Sequence, residues 1–582
     1  MQYQLREAIR ALPCFAEQLP FSGKVFLKKN NVISLSTAWG GRIDRQKTVF
    51  LSTLMWNRSY PTRTTRIIAV LFTGTLILGW TLYPTESSIY SPELPAPEPL
   101  PSASVLTADE AVRILGHPTF GDVWNYERAL PQHVKPSRIV ASTKEKGPRY
   151  LRIPHSSWGT GWNNVFQEQL FNAHLAHMSD RAYVFPEYIP RDHPPYPDTL
   201  PNGTRHMLHI PMNTFVAGPI GGGPFADNPV DDKLTRRSIS EAWWDVVCPR
   251  ERVKVLNVFE VHGSFGYDAI AVEGAEILTR WSKKLSEMDD MCVSVEEYSI
   301  FHYVFMGGQW VTSAWPSYGA SPVLRYFAWS PLVTATLFRN FHAIAPHQSA
   351  PPIYLAPLRE LSSATDVNPF EYFSPLPASS LKTPIPGLLG IHVRRGDYEG
   401  HCGFLAAIDC PYNSWNNLGT PGLIANASLA AQRWLGFGGN VDDTTVWPRL
   451  NDHLDIPEGM TRKEAIVYHC LPDVKRIVHK AATVRAQSET KRLKTLFIAT
   501  NGNKEWVAEL VQALRADGWE HVATSLDLEL GVEAYAVSHA VDMGILTALS
   551  EEFIGVGFSS LSSNVAQIRL GAGANPKTIH FW

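Results

Sequence analysis

Two adjacent arginines, Arg394 and Arg395, follow the apolar run Leu388-Leu389-Gly390-Ile391. A brief apolar run bounded by Gly and Pro predicts a buried strand of a parallel sheet. Ligands collect at the carboxyl ends of such strands. Guanidinium is a planar, permanent cation whose fork fits phosphate oxygens. The pair therefore stands where an anionic leaving group could be held, although an ion pair with Asp397 would place the same residues there. Further along, Asn501 follows the strand Leu496–Thr500. Ser559 and Ser560 lie between the strand Phe553–Val556 and a predicted helix. Hydroxyls and free N–H groups at a helix N-terminus make an anion site. Beside an arginine fork they would form a diphosphate cradle. Asp542, within the preceding helix, could accept hydrogen bonds from a purine base or face solvent.

These residues need a scaffold. From 387 onward, strand and helix alternate: Leu493–Thr500, Glu505–Ala516, Val522–Thr524, Glu533–Leu549, Phe553–Val556, then a helix to Leu570. That alternation predicts a parallel, doubly wound sheet. Tyr398–Thr445 reads as irregular, and helices are expected at Thr461–Tyr468 and Asp473–Arg492. Earlier, Tyr150–Ile153, the loop 154–164, the helix Val165–Met178 and the strand Arg181–Pro186 form a βαβ unit. Gly159 and Gly161 in that loop could let a backbone approach phosphate. Between 188 and 350, helices are expected at Ala271–Leu285 and Pro322–Phe341. Gly218–Pro224 reads as a mobile surface loop; without the lysine and hydroxyl of a phosphate-binding loop it holds no nucleotide.

The 582 residues suffice for two or three domains. Hydrophobic content of 45% and charged content of 18% suit large globular cores. A net charge of -3 argues against a nucleic-acid partner. The six cysteines form no CxxC pair and are too scattered for a zinc ribbon. Cys402 and Cys410 could join in a small disulfide in an oxidising compartment. Ile67–Tyr83 is an uncharged run of 17 residues behind Arg58, Arg63 and Arg66, with Trp80 and Tyr83 at its far end. It reads as one short membrane span with a cytosolic N-terminus. A Pro-rich stem follows. The expected division is a cytosolic tail 1–66, an anchor 67–83, a stem 84–105, a first Rossmann-like domain 106–350 on the acceptor side, a crossing 351–386 and a donor-binding Rossmann-like domain 387–582. The sequons at Asn202 and Asn426 agree with a lumenal catalytic part.

His392-Val393-Arg394-Arg395-Gly396-Asp397, with Val541-Asp542-Met543-Gly544 and Phe553-Ile554-Gly555-Val556-Gly557-Phe558-Ser559-Ser560-Leu561, resembles the GDP-fucose protein O-fucosyltransferases and their α1,6-fucosyltransferase relatives. The family's His-x-Arg falls on His392 and Arg394, and its Phe-Ile-Gly-x-x-x-Ser-Ser pattern on Phe553–Ser560. Its glycine-loop asparagine falls on Asn163, after Gly161. The resemblance runs from about Tyr150 to the C-terminus. It implies a GT-B-like α/β fold, two doubly wound domains facing a cleft, with GDP-fucose as donor, inversion at the sugar carbon and no metal or other cofactor. The absence of any Asp-x-Asp string agrees with a metal-free mechanism. Arg394 would stabilise the departing β-phosphate. His392 and Asp542 would sit near guanine or ribose, and Ser559, Ser560 and Leu561 at the phosphates. Arg395, Asn501 and Gly161 complete the expected donor set, and Asn163 would meet sugar and acceptor.

Some relatives carry a glutamate base in the glycine loop, where Thr160 stands here. Asp397, Glu399 and Glu168 are the remaining candidate bases for a hydroxyl acceptor. The expectation is a single-pass type II membrane fucosyltransferase of the endoplasmic reticulum or Golgi, acting on protein or glycan. A non-catalytic sugar-nucleotide or glycan-binding protein on the same fold is the alternative. A serine hydrolase is disfavoured, because Gly557-Phe558-Ser559-Ser560-Leu561 lacks the closing glycine of a nucleophile elbow.

Overall fold

The computed structural model describes residues 26–27, 33–34, 118–138, 147–154, 161–189, 209–227, 231–266, 272–301, 303–358, 369–396, 398–418 and 456–582. The expected tail, span and stem, Asp397, Thr160 and both sequons lie outside the described residues, apart from Phe26–Leu27, which pairs antiparallel with Ile33–Ser34. No helix among the described residues is long and apolar enough to cross a membrane.

From residue 118 onward the described chain belongs to one compact unit built on two five-stranded sheets. The first comprises β1 (Tyr150–Arg152), β2 (Ala182–Phe185), β3 (Ile239–Ser240), β4 (Val253–Asn257) and β5 (Cys292–Glu296), in the order β3-β2-β1-β5-β4. Helix α1 (Trp162–Met178) crosses from β1 to β2, and α2 (Gly274–Ser286) leads into β5. All pairings are parallel. The second sheet comprises β6 (Leu388–Val393), β7 (Thr495–Thr500), β8 (His521–Thr524), β9 (Glu552–Gly555) and β10 (Ile579–Phe581). Its order, β8-β7-β6-β9-β10, is again all parallel. Between these strands run α3 (Tyr398–Ala407), α4 (Arg462–Cys470), α5 (Val474–Gln487), α6 (Lys504–Ala516), α7 (Ser538–Gly544) and α8 (Ser560–Gly571).

The order of the second sheet reverses at β6. Successive crossovers leave β6 towards β7 on one side and reach β9 on the other. That reversal opens a crevice at the strand carboxyl ends. The strand carrying the arginine motif therefore lies at the switch point. All six residues of β6 are buried. Burying a Leu, Ile or Val side chain contributes about 1.5–3 kcal/mol, so this apolar run holds the centre of the sheet. Gly390 is required there: a Cβ would stand 2.5 Å from Ser550 Oγ and 2.7 Å from Leu546 Cδ2.

Several local expectations are corrected. Pro322–Phe341 is not one helix. It breaks into Pro322–Arg325, the strand Ala328–Trp329 and Pro331–Arg339, because Ser321 and Ser330 each cap a new helix with proline at its start. Glu533–Leu549 is three pieces, ending in a π-helical turn at Ile545–Leu549. Tyr398–Ala407 is helical rather than irregular. The glycine-rich segment at 218–223 is buried, not a surface loop: a Cβ on Gly218 would meet Ala328 N at 2.7 Å. Cys402 pairs with Cys470, joining α3 to α4, and Cys248 pairs with Cys292. Cys410 is disulfide-bonded, but not to Cys402.

Candidate active site

His392, at the end of β6, is buried and shares a 2.9 Å hydrogen bond between Nδ1 and Ser562 Oγ. Ser562 Oγ already accepts from Val556 N at 2.9 Å. With one O–H and a second lone pair, the hydroxyl can either donate to Nδ1 or accept from it. Burial and the nearby Arg394 push the imidazole down to about 3. It is neutral at physiological pH.

Arg394 is half-buried, and its guanidinium carbon lies 4.7 Å from the centre of the Tyr398 ring. Tyr398 donates its hydroxyl to Phe558 O at 3.1 Å. One aromatic ring therefore connects the arginine to the turn before α8. In that turn Ser559 occupies the N-cap, yet its side chain makes no cap bond. Ser559 Oγ is buried with no partner, an unusual state for a buried hydroxyl. Ser560 opens the helix and is also buried, while Leu561 is half-buried.

Asn163 meets the same helix from the first sheet's side. Asn564 Nδ2 donates to Asn163 O at 2.8 Å and to its Oδ1 at 3.2 Å. Gly161 caps α1 without a side-chain bond. The start of α1 thus packs on the first turns of α8. His392, Arg394, Ser559, Ser560 and Asn163 are linked through Ser562, Tyr398 and Asn564.

Asp542 lies on α7. Ser525 Oγ is 2.9 Å from both of its carboxylate oxygens and accepts from Thr500 N at 3.2 Å, which ties the carboxylate to the end of β7. Asp542 keeps some surface, but burial of its carboxylate pushes it up to about 7 against the opposing Ser525 bond. His539, one turn earlier, packs 4.6 Å from Trp162 and is lowered to about 4 by burial.

Arg395 goes elsewhere. Successive residues at a strand end leave on opposite sides. Its guanidinium lies 4.2 Å from the Trp506 ring centre and bonds Pro472 O. With Glu399, Lys475 and Trp506 it lines a groove of about 570 Å³, whose walls include neither His392, Arg394 nor Ser559. The arginine pair is therefore not one fork. Asn501 Oδ1 accepts from Arg395 N at 2.7 Å and so orients the main chain beyond β6. Glu168 is fully buried within α1.

The sequence reading passed over Tyr398, Asn416, Ser562, Asn564 and Trp582. Trp582 Nε1 donates to His392 O at 2.9 Å and its N to Gly555 O at 3.1 Å, closing the sheet beyond the last β6–β9 pair. Only Ser562 carried a signal, as the third hydroxyl of Ser559-Ser560-Leu561-Ser562.

No family model matches the sequence, and no curated protein does. Solved structures of POFUT1 are similar in chain path. The complex with GDP-fucose is 14% identical, with a TM-score of 0.41 over 75% of this chain and 98% of that one. A complex with GDP is 14% identical, with a TM-score of 0.40 over 75% and 98%. The apo form is 12% identical, with a TM-score of 0.33 over 75% and 99%. Likeness at this distance assigns no residue and no activity.

Proposed function

We propose that the protein is a metal-independent inverting glycosyltransferase that moves fucose from GDP-fucose to a hydroxyl of a protein or glycan. The observation that carries this reading is the gathering of Arg394, the uncapped serine-led helix α8 and Asn163 at the switch point of a parallel sheet, in a chain whose motifs resemble the GDP-fucose O-fucosyltransferases. In the reaction the bond from sugar C1 to the β-phosphate oxygen breaks and a bond from C1 to the acceptor oxygen forms. GDP leaves with the electron pair. The acceptor proton passes to solvent or to the Asp397 carboxylate. Arg394 offsets charge growing on the β-phosphate. Ser559, Ser560 and Leu561 hold the phosphates at the start of α8. His392 and Asp542 lie near guanine or ribose, the Asp542 carboxylate receiving donors of the purine, and Asn163 orients sugar and acceptor. Arg395 and Asn501 shape the strand ends.

Disulfides at Cys248–Cys292 and Cys402–Cys470 suit an oxidising compartment. With an anchor at 67–83 they support a lumenal enzyme of the endoplasmic reticulum or Golgi. A binding role without transfer is the second reading. It is favoured by the burial of Glu168 and by Glu399 facing a different groove.

The test is GDP release from GDP-fucose in chelator, with and without acceptor, for wild type and Arg394→Ala matched for melting temperature. Loss of one such donor is expected to lower kcat about 100-fold or more. Equal turnover in the two proteins overturns the mechanism. Donor binding by wild type without release selects the second reading.

A further inference from the structure

We infer that Asn416 is a positioning residue that aims the main chain of the Gly557–Ser560 turn at the diphosphate. The inference rests on the reading of α8 as the phosphate-binding helix.

The segment Asn413–Asn417 is fully or almost fully buried and packs along that turn. Asn413 N donates to Gly557 O at 2.8 Å. Asn416 Nδ2 donates to Gly557 O at 2.9 Å and to Ser559 O at 3.3 Å. One carboxamide thus holds two carbonyls, separated by the Phe558 carbonyl that Tyr398 holds. In a trans peptide the N–H points opposite to the C=O. Pinning Gly557 O and Ser559 O towards Asn416 turns the N–H groups of Phe558 and Ser560 the other way. Both residues are buried, and among the described residues neither N–H meets an acceptor. Buried N–H groups are almost always paired. Successive unpaired N–H groups at the start of a helix form an anion-binding concavity.

An independent observation marks the same place. Ser559 Oγ is unpartnered, and only 2% of the residue is exposed. The supporting segment is itself held in a costly shape. Ser414 has φ 46°, in the left-handed region that residues other than glycine seldom enter. Gly557 is obligatory for the fit, since a Cβ there would stand 2.5 Å from the Tyr412 ring.

The experiment measures calorimetric binding of GDP and of guanosine by the full chain, for wild type, Asn416→Asp and Asn416→Ser. Aspartate keeps the shape but turns a donor into an acceptor that repels both carbonyls. The expected result is a rise of about tenfold or more in Kd for GDP, the scale of a lost charge-assisted hydrogen bond, with guanosine binding unchanged within about twofold. Equal weakening of both ligands, or of neither, overturns the inference. So does failure of both variants to fold, which would make the amide a core bond only. Should wild type bind pyrophosphate but not GDP, the functional reading falls, and the same comparison is made with pyrophosphate. Should it bind neither, both fall.

Discussion

Asp542 is a residue whose charge near neutral pH is set by its burial. Its carboxyl titrates near 7 when folded, against an ordinary value of 3.8, because burial penalises the anion. Between those values the folded chain binds a proton that the unfolded chain has lost. The contribution of Asp542 to stability therefore declines as pH rises towards 7 and levels off above it. Asp542→Asn removes that slope. Relative to wild type, the melting temperature of the variant should rise on going from pH 5 to pH 8. A constant difference would show that the carboxylate is not desolvated. The same anion is the form that accepts hydrogen bonds from a purine, so GDP affinity of wild type should fall as pH drops below 7. Asp542→Asn should lack that pH dependence. His392 adds no such dependence to GDP affinity, since its folded imidazole stays neutral down to about 3.

At the level of elements, the chemistry depends on ends rather than middles. Helix α8 begins with a serine that does not cap it, and α1 begins with a glycine. At neither start does the N-cap residue bond back onto its helix through a side chain. These ends were legible in the sequence because apolar strands stop abruptly at Arg394, Asn501 and Ser559. The supports were not legible. Tyr398 and Asn416 sit in a stretch whose Gly400, Gly403 and polar residues hide helical periodicity. Connectivity of cysteines is not encoded in spacing, and proximity in sequence misled for Cys402 and Cys410. The bond from Cys402 to Cys470 ties α3, which carries Tyr398, to α4 across 68 residues. Closing a loop of that size typically stabilises by about 2–4 kcal/mol. Replacing both cysteines by serine should lower the melting temperature by several degrees. Peptide mapping without reductant should recover a Cys402–Cys470 cross-link. Recovery of a Cys402–Cys410 link instead would refute the pairing.

For the whole molecule, alternating strands and helices made the second sheet readable, since buried parallel strands are short apolar runs. Of the edge strands, β8 was legible as Val522–Thr524, while β3, β4 and β10 escaped. Val253–Asn257 buries only Leu256, and Ile579–Phe581 is only three residues long. Neither presents a run that differs from loop. The first sheet blurred for a further reason: its connections bury polar and glycine-rich chain, such as 218–223, which composition assigns to the surface.

The contact between the two sheets carries its own consequence. Tyr318 donates to Gln567 at 2.8 Å, Gln567 to Asn564 at 2.6 Å, and Asn564 to Asn163 at 2.8 Å. Trp329 reaches Thr547 at 2.8 Å, and Asn340 exchanges hydrogen bonds with Glu529. A jaw that swung open would have to break this seam in several places. The pair of sheets is better described as a fixed anvil than as a clamshell. Small-angle scattering should then give the same radius of gyration with and without saturating GDP, and a contraction on binding would show that the seam parts.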